Sequence, residues 1–186
     1  MKKLLFIIFI ISLFGIIVFL LGKTPTDKPL TSSKPKPTTY PSSLPQQNIP
    51  AVSVIATQLD TPWALAFLPD RKLLFTERGG QLRMIDADGK LKESPIARID
   101  DAKEIGEGGL LGLAIHPDFA NNHFIYVYYT YDENTDNTLN RVVRYRFEDE
   151  TLTDKKVIID AIPGGTNHNG GRLKFGPDNF LYVTTG

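Results

Sequence analysis

Leu113-Ala114-Ile115-His116-Pro117-Asp118, running on into Phe124-Ile125-Tyr126-Val127, is the middle copy of a phrase that occurs three times. Leu65-Ala66-Phe67-Leu68-Pro69-Asp70 leads into Leu73-Leu74-Phe75-Thr76, and Leu173-Lys174-Phe175-Gly176-Pro177-Asp178 leads into Phe180-Leu181-Tyr182-Val183. Each copy reads as an apolar strand, a Pro-Asp turn and a second strand rich in aromatic and β-branched residues. The prolines stand 48 and 60 residues apart (69, 117, 177). Strand-bearing self-similarity at that period points to the blades of a β-propeller. Propellers place their chemistry at the mouth of a central channel, so the loops that enter the inner strands are where function is sought.

Working outward, Gln81 to Ile85 reads as another strand, closed by the turn cluster Asp86-Ala87-Asp88-Gly89. Ile125 to Tyr131 is the strongest strand signal, and Arg141 to Phe147 alternates well enough to be its partner. No stretch beyond residue 22 has convincing helical periodicity. The expected fold class is all-β. It is a partial propeller of about two to three blades over residues 51–186, because closed propellers need more sheets than this length holds. The segment is accordingly expected to be the N-terminal part of a longer protein.

The rest of the chain reads differently. Residues 4–21 carry no charge, and Lys2, Lys3 and Lys23 flank them. Eighteen helical residues span about 27 Å, close to bilayer thickness. No small-x-small cleavage site follows Leu21. Residues 1–23 are therefore expected to be a transmembrane signal anchor. Residues 24–50 hold seven of the thirteen prolines among Thr, Ser and Lys. They read as a disordered tether. Twenty-one basic residues balance twenty-one acidic ones, which disfavours a nucleic-acid partner. With no cysteine, thiolate metal sites, disulfides and a cysteine nucleophile are excluded.

Three polar segments are candidates for chemistry. Asp132 to Asn137 looks like the start of a calcium loop. However, Asn137 stands where the EF-hand glycine belongs and Val143 where its Glu belongs, so a solvated hairpin loop is expected. Glu104 to Gly112 is either a tight crossover between blades or a loop that presents Glu107 to the channel mouth. In Thr166-Asn167-His168-Asn169-Gly170-Gly171-Arg172, His168 sits just before an inner strand. Two readings stand for it: a general base that accepts a hydroxyl proton near neutral pH, or a turn histidine bonded to backbone. His116 occupies a turn position matched by Leu68 and Gly176, which suggests no special chemistry. Arg78 and Arg172 are suited to binding an anion or to bracing carbonyls between blades.

Pro62 to Asp70, Thr76 to Gly80, Gly108 to Phe119 and His168 to Asp178 together resemble, in that order, the glucose/sorbosone dehydrogenase family. These are aldose sugar dehydrogenases that depend on pyrroloquinoline quinone (PQQ). The resemblance implies an exported six-bladed propeller with PQQ and calcium at the channel mouth. It implies that His168 takes the proton of the sugar C1 hydroxyl while hydride passes to PQQ, giving the lactone. It puts Glu107, Asn167 and Arg172 on the cofactor side of the site. Glu107 stands where the best-known members carry Gln, and Asn167 where some carry Asp. The calcium ligands and the remaining basic groups for PQQ belong to later blades, so no metal ligand is expected in this chain. The implied partners are an aldose sugar, a membrane reached through residues 4–21, and an external electron acceptor of unknown kind. The implied location is extracytoplasmic. The competing expectation is a non-catalytic binding propeller, of the kind found in hedgehog-interacting proteins, or an inactive fragment.

Overall fold

In the computed structural model, residues 52–132 and 138–186 are described. The expected membrane anchor and tether, and the calcium-like loop at 133–137, lie outside them. Among the described residues no helix is long and apolar enough to cross a membrane.

The described chain is nearly all strand. β1 (Pro62–Phe67), β2 (Leu73–Glu77), β3 (Gln81–Ile85) and β4 (Ala97–Arg98) form a first antiparallel sheet, in that order. β5 (Leu110–Ile115), β6 (Phe124–Asp132), β7 (Thr138–Glu148) and β8 (Thr151–Pro163) form a second, also in chain order. β9 (Leu173–Phe175) pairs with β10 (Leu181–Val183) in a third. The only helix among the described residues is α1 (Phe119–Asn122), one turn inside the second copy of the repeat. Two four-stranded meanders and a hairpin, each opened by one copy of the repeated phrase, are the sheets that the repeat predicts.

The repeat extends to backbone defects. Pairing of β1 with β2 slips between Pro62 and Leu65, and pairing of β5 with β6 slips between Leu110 and Leu113, 48 residues on. Both inner strands thus carry their irregularity at the same place. The turns behave as read. Asp70 Oδ1 accepts the Lys72 N–H at 3.2 Å, and Asp86 Oδ1 accepts those of Asp88 and Lys90 at 3.0 and 2.9 Å. His116 is a turn residue whose Nδ1 accepts the Asp118 N–H at 3.0 Å.

β5, β6 and β7 of the second sheet are buried on both faces, and alternation along them, interrupted by the slip in β5, divides their side chains. Leu110, Leu113, Val127, Tyr129, Val143 and Tyr145 pack toward the first sheet. Leu111, Ala114, Tyr128 and Val142 pack toward the third, against Leu173. Each fully buried aliphatic side chain contributes roughly 1.5–3 kcal/mol. β8 was not anticipated, and its composition explains why. Almost every residue of this 13-residue edge strand is exposed, so no apolar alternation marks it. Its Asp and Lys residues suit an unpaired edge.

Neighbouring sheets are also joined by hydrogen bonds. Buried Thr76 Oγ1 on β2 accepts the Ala64 N–H at 3.1 Å and donates to the Leu111 carbonyl at 2.7 Å. The inner strands approach so closely that a Cβ on Gly112 would collide with the Gly171 carbonyl oxygen. Only glycine permits that contact.

Candidate functional site

The segment between β8 and β9 carries His168, and the segment between β4 and β5 carries Glu107; the fold brings the two together. Each segment immediately precedes an inner strand whose first residue, Leu110 or Leu173, is buried. The Glu107 N–H donates to the Thr166 carbonyl at 2.8 Å. In return, Glu107 Oε2 accepts the His168 N–H at 2.9 Å. The two loops are therefore clasped in both directions, across 61 residues of sequence. The Glu104–Gly112 segment is the crossover between the first two sheets, and Glu107 on it is exposed.

His168 is exposed, and its imidazole makes no hydrogen bond to the described residues. Its backbone is left-handed, with φ of 60°, followed by Gly170 at 67° and Gly171 at 102°. The loop histidine therefore bonds through its backbone while its ring stays available to solvent. Asn167 is exposed beside it, and its amide has no partner among the described residues.

Arg172 is set apart from this pair. Its guanidinium carbon lies 4.7 Å from the centroid of the Trp63 ring, a cation–π contact, and its N–H donates to Thr184 Oγ1 at 3.0 Å. No described hydrogen bond or ion pair joins it to Glu107 or His168. The guanidinium stays exposed and suited to an anion. Arg78 takes the bracing role. Its Nε donates to the Gly108 carbonyl at 3.1 Å, Nη2 donates to the Gly106 carbonyl, and Glu104 lies 3.5 Å away. The Glu107 loop is thereby pinned to the first sheet.

Beneath His168 lies a buried polar cluster that sequence reasoning missed. Asn169 is only 4% exposed. Tyr128, fully buried on β6, donates its hydroxyl to the Asn169 carbonyl at 2.8 Å. Burial pushes the Tyr128 hydroxyl up to about 12, so it remains a donor throughout the neutral range. The available signal was the run of polar residues Asn167-His168-Asn169 before a strand.

Chemically, the arrangement offers a ligand an exposed imidazole, the exposed amide of the preceding residue, the carboxylate that holds the His168 N–H, and one exposed guanidinium nearby in sequence. Among the described residues no group of three or more His, Asp or Glu side chains could hold a metal ion.

The sequence and fold of this chain are shared with known proteins. The glucose / sorbosone dehydrogenase family matches residues 59–186. The aldose sugar dehydrogenase of Escherichia coli strain K12 is 38% identical over 141 residues, covering 73% of this chain and 38% of that protein. Quinoprotein glucose dehydrogenase B of Acinetobacter calcoaceticus is 37% identical over 145 residues, covering 72% of this chain and 30% of that protein. The structure of the PQQ-bound aldose sugar dehydrogenase from Streptomyces coelicolor superposes with a TM-score of 0.65 at 37% identity. That match covers 73% of this chain and 40% of the other. The chain thus spans well under half the length of these relatives.

Proposed function

The chain belongs to the glucose/sorbosone dehydrogenase family, and we propose that its protein is a PQQ-dependent aldose sugar dehydrogenase in which His168 is the general base. The observation that carries this is the exposed imidazole of His168 on a backbone clasped by Glu107. An imidazole titrates near neutral pH and can accept a hydroxyl proton at a ring nitrogen. In this reading the C1 hydroxyl of an aldose lies against the His168 ring and gives up its proton there, and the sugar leaves as the lactone. The backbone clasp holds the base in place, so the proton transfer needs no loop rearrangement.

The donor set fits part of a PQQ site. Arg172 is the residue of this chain suited to one of the cofactor's carboxylates, and the Asn167 amide is suited to a quinone oxygen. When bound, PQQ supplies the two-electron acceptor for the hydride that leaves C1. The described residues do not fit a calcium site. In this reading calcium and the other cations for PQQ come from further blades of a six-bladed propeller. Leu65 and Phe67 on β1, and Phe180 and Tyr182 by β10, are more than half exposed, which supports further blades covering both flanks. The uncharged run at residues 4–21 supports a membrane anchor, and the family resemblance supports an extracytoplasmic placement.

The test is dye reduction by the complete protein with an aldose. The rate is expected to require added PQQ and calcium, and His168→Ala is expected to lower kcat roughly 10²–10⁴-fold. A His168→Ala rate within about threefold of the unmodified protein sinks the base assignment. No PQQ-dependent turnover at all favours the binding propeller.

A further inference from the structure

His168 holds a left-handed backbone conformation that is uncommon for any residue with a Cβ. A side chain with a Cβ is sterically penalised at a φ of 60°, and left alone the residue would relax to the extended or right-handed region. Something beside it must over-determine the geometry. Glu107 holds one side, at the His168 N–H. The other side is held by the next residue, from inside the protein.

Asn169 uses its whole side chain for this. Its Oδ1 accepts the Gly165 N–H at 3.1 Å and the Asn140 amide at 3.1 Å, and its Nδ2 donates to the Gly165 carbonyl at 2.9 Å. The amide thus pins the start of the loop to its end. Asn140, fully buried on β7, is itself locked: its Oδ1 accepts the hydroxyl of buried Thr130 at 2.7 Å. That leaves the Asn140 Nδ2 to donate to Asn169 and to the Pro163 carbonyl. Tyr128 fixes the Asn169 backbone from β6. Every partner of Asn169 sits on a strand of the second sheet or in the loop itself.

We propose that Asn169 is the positioning residue for His168: with Asn140, Thr130 and Tyr128 it ties the loop to β6 and β7 and so sets where the imidazole stands. This rests on the reading of His168 as the general base. Glu107 then holds the outer side of the loop that Asn169 anchors from below.

The test is a mutant cycle in the complete protein, with kcat and KM for an aldose measured in each background. Asn169→Ala is expected to lower kcat about ten- to a hundredfold with KM within about twofold, because a misplaced base loses rate and not binding. In the His168→Ala background the same change is expected to alter the rate by less than about twofold. In cofactor-free protein labelled with 15N-histidine, the His168 backbone order parameter is expected to fall from about 0.85 to below about 0.6. Equal losses in both backgrounds would show a purely structural role and overturn the proposal. A harmless Asn169→Ala beside a crippling His168→Ala overturns positioning and spares the base assignment. A harmless His168→Ala overturns both. If Asn169→Ala does not fold, Tyr128→Phe carries the same cycle, with an expected loss of about three- to tenfold confined to the His168 background.

Discussion

Glu107 Oε2 accepts the main-chain N–H of His168 at 2.9 Å, so the carboxylate touches the backbone of the proposed base. A side chain expected on the cofactor side of the site is engaged in holding the neighbouring loop. Its identity therefore bears on where His168 stands as well as on local charge.

That contact sets the first expected outcome. Glu107→Gln keeps an acceptor for the His168 N–H, whereas Glu107→Ala removes it. In steady-state kinetics on the complete protein, kcat is expected to fall about tenfold for the alanine variant and to stay within about threefold for the glutamine. Equal rates in the two variants would show that the hydrogen bond to His168 is irrelevant to turnover.

Thr76 is the bridge between the first and second sheets. Thr76→Val keeps its shape but leaves the Ala64 N–H and the Leu111 carbonyl buried without their partner. Each orphaned group costs about 1–3 kcal/mol, so a loss of about 2–4 kcal/mol is expected. Urea unfolding measures it: the midpoint should drop while the slope stays the same. A loss below about 0.5 kcal/mol would contradict the bridge.

Glu77 and Arg83 form a buried pair on β2 and β3. Their side chains are 1% and 12% exposed, and both Glu77 oxygens lie 3.2 Å from Arg83 Nη1. Glu77 Oε1 also accepts the Asp60 N–H at 3.0 Å, which anchors the segment entering β1. Arg83→Ala strands a buried carboxylate and is expected to cost about 3–5 kcal/mol. The double change Glu77→Met with Arg83→Met should cost clearly less, since no charge is left behind. Comparable losses for the single and double variants in chemical denaturation would refute the argument.

Asp101 gives the domain an acid limb. Burial raises its pKa, but hydrogen bonds from the Lys155 ammonium and the Tyr129 hydroxyl outweigh this and hold the carboxyl below its ordinary value. A depressed folded-state value means stability that is complete above the unfolded value of about 3.9 and is lost as pH falls through the folded value. Unfolding free energy followed from pH 6 to pH 2 should therefore fall below about pH 4, and less steeply in Asp101→Asn. Asp160, held down first by the Tyr131 hydroxyl and then by the Ala161 N–H and Arg141, adds to the same limb. Superimposable pH profiles for Asp101→Asn and the unmodified protein would rule out the assignment.

Much of the fold was legible in the residues because its causes are local. The Pro-Asp turns at 69–70, 117–118 and 177–178 and the alternation along 125–131 act within a few positions of chain. They announced the repeating hairpins and the all-β class. β8 escaped because an exposed edge strand has no buried face to imprint a pattern on it. In the site, His168 and Glu107 were visible as polar residues flanked by glycine, and Arg78 was recognisable as a brace.

By itself, the sequence determined that strands would recur, where they would turn, and which loops would sit before the inner strands. Only the tertiary structure decided what holds those loops. Asn169 meets Asn140 and Tyr128, Glu107 meets His168, and Arg172 lies over Trp63 because three sheets stack with their inner strands side by side. These partners lie 29 to 109 residues apart. A side chain's periodicity records which face it turns inward, but not which distant polar group waits there. That depends on how closely the sheets approach, which the glycine at 112 permits and the packing of Tyr128, Leu111 and Leu173 sets.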